Sequence, residues 1–233
     1  MWFFYDYYYI VLVMPMVLLA LYAQFKVNST FKKYSTVRTM RGTTGYDSAR
    51  MILDKNGLYD VKIERVAGNL SDHYDPRTNT VRLSDAVYSS SSVAAVGVAA
   101  HEAGHAVQYA IGYFPIRLRA AIIPVTNIGS YLSIPLIILG MLLAGGETLA
   151  YIGVMLFSLT AVFQLVTLPV EFNASRRAIS ALRESYRFEE NEINGARSVL
   201  NAAAMTYVAA LAVALAQLLR LLLIVGGSSS RRR

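Results

Sequence analysis

Four long apolar stretches dominate the pattern of hydrophobic and polar residues along the chain. A helix that crosses a bilayer needs about 20 mostly apolar residues, and each stretch is close to this length. The stretches cover residues 7–25, 121–144, 149–170 and 202–225. The third has no charged residue, whereas the fourth contains Gln217 and Arg220. The pattern predicts four transmembrane helices, of which the middle two form a hairpin around the turn 145–148.

The first stretch resembles a retained anchor more than a cleaved signal peptide. No Lys or Arg precedes the apolar run, and no convincing small-residue cleavage site follows it. Aromatic residues, which favour the membrane–water interface, take the place of a basic region: Trp2, Phe3, Phe4, Tyr5, Tyr7, Tyr8 and Tyr9. We therefore expect residues 1–25 to remain as an N-terminal transmembrane anchor.

Shorter periodicities between the first two apolar stretches predict a small α+β segment. Asp47 is a candidate N-cap for a helix that continues to Asn56 and ends at Gly57. Residues 61–66 alternate like a half-buried strand, and a turn at 75–79 precedes a second strand. If that second strand, residues 79–84, is a sheet edge, it could hold an extended peptide by strand addition. A serine of the run 89–92 can cap the long helix that follows, 93–111.

These elements predict a mainly α membrane protein with about four transmembrane helices and one small α+β region. The chain then divides into an anchor, an α+β segment, a transmembrane hairpin, a helical segment, and a final membrane helix with a basic tail: 1–25, 26–120, 121–170, 171–201 and 202–233.

The composition agrees with a membrane protein and limits the chemistry. Charged residues make up 16% of the chain and hydrophobic ones 55%, whereas roughly a quarter of a soluble domain is charged. The chain has no cysteine, which excludes disulfides, cysteine-ligated zinc and a thiol nucleophile.

The distribution of Lys and Arg predicts the orientation. Apart from Arg220 and the terminal residues 231–233, every Lys and Arg lies in residues 26–119 or 171–201. Basic loops stay on the cytoplasmic side, so both segments are expected there. The net charge of +7 then reflects topology and does not indicate nucleic-acid binding. The basic end 231–233 breaks the rule if the last helix crosses fully, and a shallow or re-entrant helix would remove the conflict.

The candidate chemistry lies on the predicted helix 93–111, where the residues HEAGH occupy positions 101–105. His101 and His105 are four residues apart, so both imidazoles face the same side of a helix and can reach one zinc ion. Glu102 lies beside them, where it can take a proton from activated water and pass it to a leaving amine. The alternative is a histidine pair packed inside a helix, but that arrangement would also bury the Glu102 carboxylate at a high cost.

A catalytic zinc needs a third protein ligand, and a carboxylate is the natural candidate because His73 is the one remaining histidine. Glu171 is the first acidic residue after the predicted hairpin returns to the same face. The alternative for Glu171 is a helix-start carboxylate favoured by the helix dipole. Four later glutamates are expected to form a solvated face: Glu184, Glu189, Glu190 and Glu192.

Three blocks together resemble the YugP-type membrane zinc metallopeptidases, which are similar in outline to the HtpX and CAAX-prenyl protease clan. The blocks are DHYDPR at 72–77, HEAGH at 101–105 and LPVEFNASRR at 168–177. The resemblance covers nearly the whole chain. It implies a gluzincin with a small zincin-like catalytic domain at the cytoplasmic face, His101, His105 and Glu171 as ligands of Zn²⁺, and Glu102 as general base.

The chain departs from the family pattern beside the third ligand. Ser175 and Asn173 stand where the wider clan and the closer family, respectively, have aspartate. These departures concern the groups around the ligands and not the ligands themselves.

The transition state of peptide hydrolysis also needs a hydrogen-bond donor for the negative charge that develops on the carbonyl oxygen. The candidates are His73, Arg176, Arg197 and Tyr207. The favoured alternative for His73 is a histidine that holds the turn before a strand, and the favoured alternative for Tyr207 is packing in its alanine-rich helix.

These inferences lead to a membrane-integral, zinc-dependent endopeptidase as the expected function. Its partners would be peptide or unfolded membrane-protein substrates and the lipid bilayer, without nucleic acid. By family resemblance it would be a multi-pass protein of a prokaryotic plasma membrane, with its site facing the cytoplasm and a role in protein quality control. The alternatives are an intramembrane protease of the site-two type, or a non-enzymatic scaffold with a structural metal.

Overall fold

The structure, a computed structural model, describes residues 6–68 and 71–230. Trp2, Phe3, Phe4 and Tyr5 of the aromatic cluster lie outside the described residues, as does the basic end 231–233. The chain is 76% helical, with one small sheet.

Within the described residues, four helices are long and apolar enough to cross a membrane, as many as the sequence predicts. The first runs from Tyr9 to Ser35 as a π-helical turn, Tyr9–Val13, followed by α1, Met14–Ser35. The other three are α5, Phe114–Leu142, α6, Glu147–Glu184, and α7, Glu190–Ser230.

Helices α6 and α7 extend well beyond their apolar stretches. The polar residues 171–184 continue α6 without a break, and the polar residues 190–201 begin α7. Helix α7 is also continuous past Arg220. In α6, Pro169 lies at this change, but the helix continues through it to Glu184. Helix α7 has no proline between its polar start and its apolar stretch.

The sheet has three strands in the order β1-β3-β2. Strand β1, Lys62–Val66, pairs in parallel with β3, Thr80–Ser84, and β2, His73–Asp75, pairs with β3 in the antiparallel sense. Because β3 has a partner on each side, the hypothesis that residues 79–84 form a free edge is wrong. The strands at the edges of this sheet are β1 and β2.

The short helix before the sheet, α2, covers Gly45–Lys55. Its N-cap is Thr44 and not Asp47, which lies at the third helical position and completes a capping box with Thr44. The helix ends at Asn56 as predicted, and Gly57 follows with φ +71°, a conformation that favours glycine.

Helix α4, Val93–Ala110, carries the HEAGH residues and crosses the centre of the core. Ser92 caps it by accepting a hydrogen bond from the backbone N–H of Ala95. Its sides pack on α2, the sheet, the short helix α3 (Asp85–Tyr88) and buried residues of α6 and α7. A long helix fixed by this much packing is a rigid support for functional side chains.

One of the glutamates expected on a solvated face is buried. Glu192 is 6% exposed, and its carboxylate accepts hydrogen bonds from the backbone N–H groups of Met40 and Glu189. The prediction for Glu192 is wrong because the loop around Met40 covers it. Glu184, Glu189 and Glu190 are exposed as expected.

The chain forms two compact units. One contains the residues up to Ala23, Leu118–Leu168 and the residues from Thr206 onward. The other contains Gln24–Arg117 and Pro169–Met205. The second unit therefore holds the sheet, α4, and the polar parts of α6 and α7.

Candidate metal centre

The two histidines of α4 lie one helical turn apart, on the same side of the helix. Their ring centroids are 4.7 Å apart, and the planes are nearly perpendicular. Each side chain is 12% exposed, so both are largely withdrawn from solvent. The spacing seen in the sequence therefore gives two neighbouring imidazoles.

Glu171 of α6 completes a group of three. Its Oε2 lies 3.2 Å from His101 Nε2 and 3.6 Å from His105 Nε2. One ligand atom from each residue lies within 4.8 Å of the others, a separation suitable for a single metal ion. Glu171 itself is 3% exposed.

The other nitrogen of each imidazole has its own hydrogen-bond partner. His101 Nδ1 lies 3.1 Å from Ser175 Oγ, and His105 Nδ1 lies 2.9 Å from Gln108 Oε1. Partners at Nδ1 fix the ring orientations and leave both Nε2 atoms to face Glu171. Ser175 thus places a hydroxyl beside His101 at the position where the resemblance to the wider clan implies an aspartate.

Gln108 also connects α4 to the segment of α6 that carries Glu171. Its Nε2 donates to the Val170 carbonyl at 2.8 Å and to Asn173 Oδ1 at 3.0 Å. Arg177 Nε donates to the same Asn173 oxygen at 2.8 Å. Asn173, the second departure from the family pattern, therefore accepts two hydrogen bonds here.

The close approach of α4 and α6 depends on a small residue. A Cβ atom at Gly104 would lie 2.9 Å from the Ala174 carbonyl oxygen, closer than carbon and oxygen normally approach. The glycine lies inside the HEAGH residues, next to His105. It allows α6 to bring Glu171 within reach of both histidines.

The electrostatics of the site favour positive charge. Burial disfavours the His105 cation, but the hydrogen bond to Glu171 and the charges of Glu102 and Glu171 outweigh burial and raise the pKa of His105. Carboxylates that stabilise an imidazolium would also attract a divalent cation.

Asp72 is a neighbour of the site that the sequence reasoning gave no role. Burial raises the pKa of Asp72 against the hydrogen bonds from Ser84, and the nearby charge of Glu102 acts in the same direction as burial. Asp72 accepts hydrogen bonds from the Ser84 N–H at 2.7 Å and from the Ser84 hydroxyl at 3.0 Å. Its position in DHYDPR was the one signal available in the sequence.

The remaining predicted site residues are more scattered. Glu102 follows His101 directly on α4 and is 9% exposed. His73 is exposed at the start of β2, with Nδ1 2.8 Å from the Ser71 carbonyl. Arg176 and Arg197 line a cavity between α6 and α7. Tyr207 lies on α7 in the unit that does not contain the metal cluster.

The three clustered residues fit a catalytic zinc ion. Two imidazole nitrogens and one carboxylate oxygen are a known donor set for zinc, and three protein ligands leave a coordination position for water or substrate. The acidic side chain of Glu102 beside this set suits general acid–base chemistry.

Comparisons with known proteins indicate the family of the chain. Residues 9–226 match a family described as "Putative neutral zinc metallopeptidase". The "Putative membrane protease YugP" of Bacillus subtilis (strain 168) is 50% identical over 206 residues, which are 88% of this chain and 91% of that protein. No solved structure matches the chain.

Proposed function

Because the chain belongs to the zinc metallopeptidase family matched by residues 9–226, we propose that it is a membrane-integral, zinc-dependent endopeptidase. The observation that carries the proposal is the convergence of His101, His105 and Glu171, with Glu102 next to the first of them. His101, His105 and Glu171 would hold the ion.

Under this proposal, Glu102 is the general base and general acid of the reaction. When bound, zinc supplies Lewis acidity that polarises the peptide carbonyl and makes water more acidic. Glu102 accepts a proton from the attacking water and donates it to the nitrogen of the leaving amine. Gln108 and Ser175 keep the two imidazoles oriented throughout, so the ligand set does not need to reorganise.

We further propose that the site faces the cytoplasm of a prokaryotic plasma membrane. The support is that both basic segments, 26–119 and 171–201, belong almost entirely to one compact unit. The positive-inside rule places such segments on the cytoplasmic side. Unfolded or membrane-protein segments are the substrates proposed for this location, with quality control as the role.

The first experiment separates metal binding from catalysis. Metal content is measured by elemental analysis on detergent-purified wild type, Glu171→Ala and Glu102→Gln, and hydrolysis of unfolded casein is measured in parallel. We expect about one zinc per wild-type chain, weakened binding in Glu171→Ala, and unchanged zinc in Glu102→Gln. Hydrolysis by Glu102→Gln should fall by about 10²–10⁴-fold, the usual contribution of a general base.

Glu189→Gln is the matched control, because Glu189 is exposed on the link between α6 and α7. It should keep both zinc and activity. A wild-type chain that takes up no zinc, even when zinc is supplied, would contradict the proposal. Retained zinc with equal hydrolysis by wild type and Glu102→Gln would instead favour a structural metal.

A further inference from the structure

A second site lies on a different side of α6 from the metal ligands. A cavity of about 640 Å³ opens between the polar part of α6 and the first turns of α7. Arg176, one of its lining residues, is five positions after Glu171, which is about 140° around the helix axis. The cavity shares Asn173 and Ser175 with the surroundings of the metal cluster.

The lining of this cavity is basic. Arg176, Arg183 and Arg197 line it, and none of its described lining residues is acidic. Arg183 is neutralised by Glu190, with Nη2 and Oε1 2.6 Å apart. Within the described part of the chain, Arg176 and Arg197 form no ion pair, and Arg197 donates only to the neutral Asn194 side chain. Two arginines without an ion-pair partner among the described residues therefore line one cavity.

The cavity lining also contains apolar residues near the membrane-spanning stretches of both helices. Helices α6 and α7 are joined by only residues 185–189, so they run in opposite directions past each other. Phe172 precedes Arg176 by four residues, about 6 Å along α6, and Ala204 follows Arg197 by seven, about 10 Å along α7. Both apolar residues line the same cavity. Arg176 and Arg197 are therefore placed farther from the apolar stretches of α6 and α7 than Phe172 and Ala204, which mark the apolar end of the cavity.

We infer that this cavity binds the phosphate of an anionic phospholipid, with an acyl chain leaving past Phe172 and Ala204. Guanidinium groups bind phosphate through paired, charge-assisted hydrogen bonds. Basic cavities between membrane helices are known sites for lipid headgroups. The apolar end favours a lipid over an acidic peptide. A lipid has an acyl chain that can pack there, whereas binding of a peptide carboxylate does not require an apolar surface.

The absence of cysteine permits a site-specific test. Ser180 lines the cavity and is exposed, so Ser180→Cys places a single thiol there. The rate of labelling with a water-soluble maleimide is measured in nanodiscs of phosphatidylcholine, with and without phosphatidylglycerol. An occupied cavity should slow labelling roughly tenfold at about 90% occupancy. Ser35→Cys, exposed on α1, reports any general effect of the anionic lipid on the reagent.

Two double variants in the Ser180→Cys background identify the groups responsible. Arg176→Gln/Arg197→Gln should label equally fast in both lipid compositions. Arg41→Gln/Arg187→Gln removes the same charge from two exposed positions and should keep the protection. Thermal unfolding of each variant checks that the fold is intact.

Additional labelling experiments identify the chemical class of the ligand. Inorganic phosphate and an acidic peptide are added separately to phosphatidylcholine nanodiscs. Protection by phosphatidylglycerol alone supports the lipid site. Protection by free phosphate or by the peptide at least as strong as that by the lipid would overturn it. Equal labelling with and without phosphatidylglycerol, or protection that survives in Arg176→Gln/Arg197→Gln, would also overturn it.

Discussion

Gln108 shows how much of the metal centre depends on a neutral side chain. It is fully buried, accepts a hydrogen bond from His105 Nδ1 through its Oε1, and donates to the Val170 carbonyl beside Glu171. One residue therefore orients one proposed ligand and fixes the distance to another. Sequence reasoning missed it because a glutamine three residues after a histidine has no distinctive pattern.

We predict that Gln108→Leu weakens zinc binding. The change keeps the volume but leaves His105 Nδ1 and the Val170 carbonyl without their partner. Loss of such a second-sphere hydrogen bond typically costs 10–100-fold in metal affinity. Competition with a chelator of known affinity measures the effect. Gln24→Leu, at an exposed position on α1, is the control, and equal affinities for the two variants would contradict the role of Gln108.

Asp75 gives a pH dependence that can be predicted in sign. The Arg82 guanidinium, the Thr78 hydroxyl and the Arg77 N–H all bond to this carboxylate and hold the pKa of Asp75 well below its usual range. A lowered folded-state pKa stabilises the fold above the unfolded pKa of about 3.9, and the effect is lost as the pH falls through the folded value.

Asp75→Asn should therefore unfold at a lower temperature than wild type at pH 7, and the difference should narrow as the pH falls below about 4. Thermal unfolding at several pH values measures this. Asp60→Asn, on the exposed loop before β1, should leave the pH profile of stability unchanged. If the difference in unfolding temperature between Asp75→Asn and wild type stayed constant down to pH 3, the ion pair of Asp75 would be excluded as its cause.

At the scale of elements, the contact between α4 and α6 is the tightest constraint on the site. We predict that Gly104→Ala lowers stability by about 1–3 kcal/mol, as overpacked contacts do, and also weakens zinc binding. The new methyl group would push against a backbone carbonyl, so α6 must move away and take Glu171 with it. Chemical denaturation and metal titration measure the two effects.

Gly227→Ala is the matched control, because a Cβ there meets no atom within 4 Å. An alanine in an exposed helix is favoured over glycine by about 1 kcal/mol, so this variant should be neutral or stabilising. If Gly104→Ala behaved in the same way, the close approach of α4 and α6 would not matter for the site.

The elements that the sequence predicted well are those with local signals. The serine run 89–92 predicted the start of α4, which Ser92 caps, and Asn56 with Gly57 predicted the end of α2. The residues of β3 were predicted, but its central place in the sheet was not. That place depends on pairing with β1, which is distant along the chain. Burial of Glu192 depends on Met40, 152 residues away, and no local pattern records such a contact.

At the scale of the whole molecule, one ion pair joins the two ends of the chain. Arg220 of α7 donates from Nη2 and Nε to Asp6 Oδ2 at 2.7 and 3.0 Å, and its side chain is 2% exposed. The arginine that interrupts the fourth apolar stretch is thus neutralised by the residue just before the first. Sequence reasoning found the four spans but could not pair their charges.

Asp6→Leu should destabilise the protein by about 3–5 kcal/mol, because it removes the carboxylate that forms an ion pair with a buried guanidinium. Replacing both partners, in Asp6→Leu/Arg220→Met, should recover most of this loss. The free energy of unfolding in mixed detergent micelles is measured for wild type, Asp6→Leu and Asp6→Leu/Arg220→Met. Arg220→Met alone completes the double-mutant cycle. Strictly additive effects of the two single changes would show that the pair contributes nothing.

The division of the metal centre between α4 and α6 has a consequence for biosynthesis. Glu171 follows His101 by 70 residues, which take roughly 4 to 14 seconds to translate, and the hairpin sequence lies between them. Under the proposed function, a nascent chain that already displays HEAGH lacks its third ligand throughout this interval. A ribosome that stalls or terminates early would release a fragment without proteolytic capacity. The order of synthesis would then protect the cell from an unassembled protease without a separate inhibitory segment.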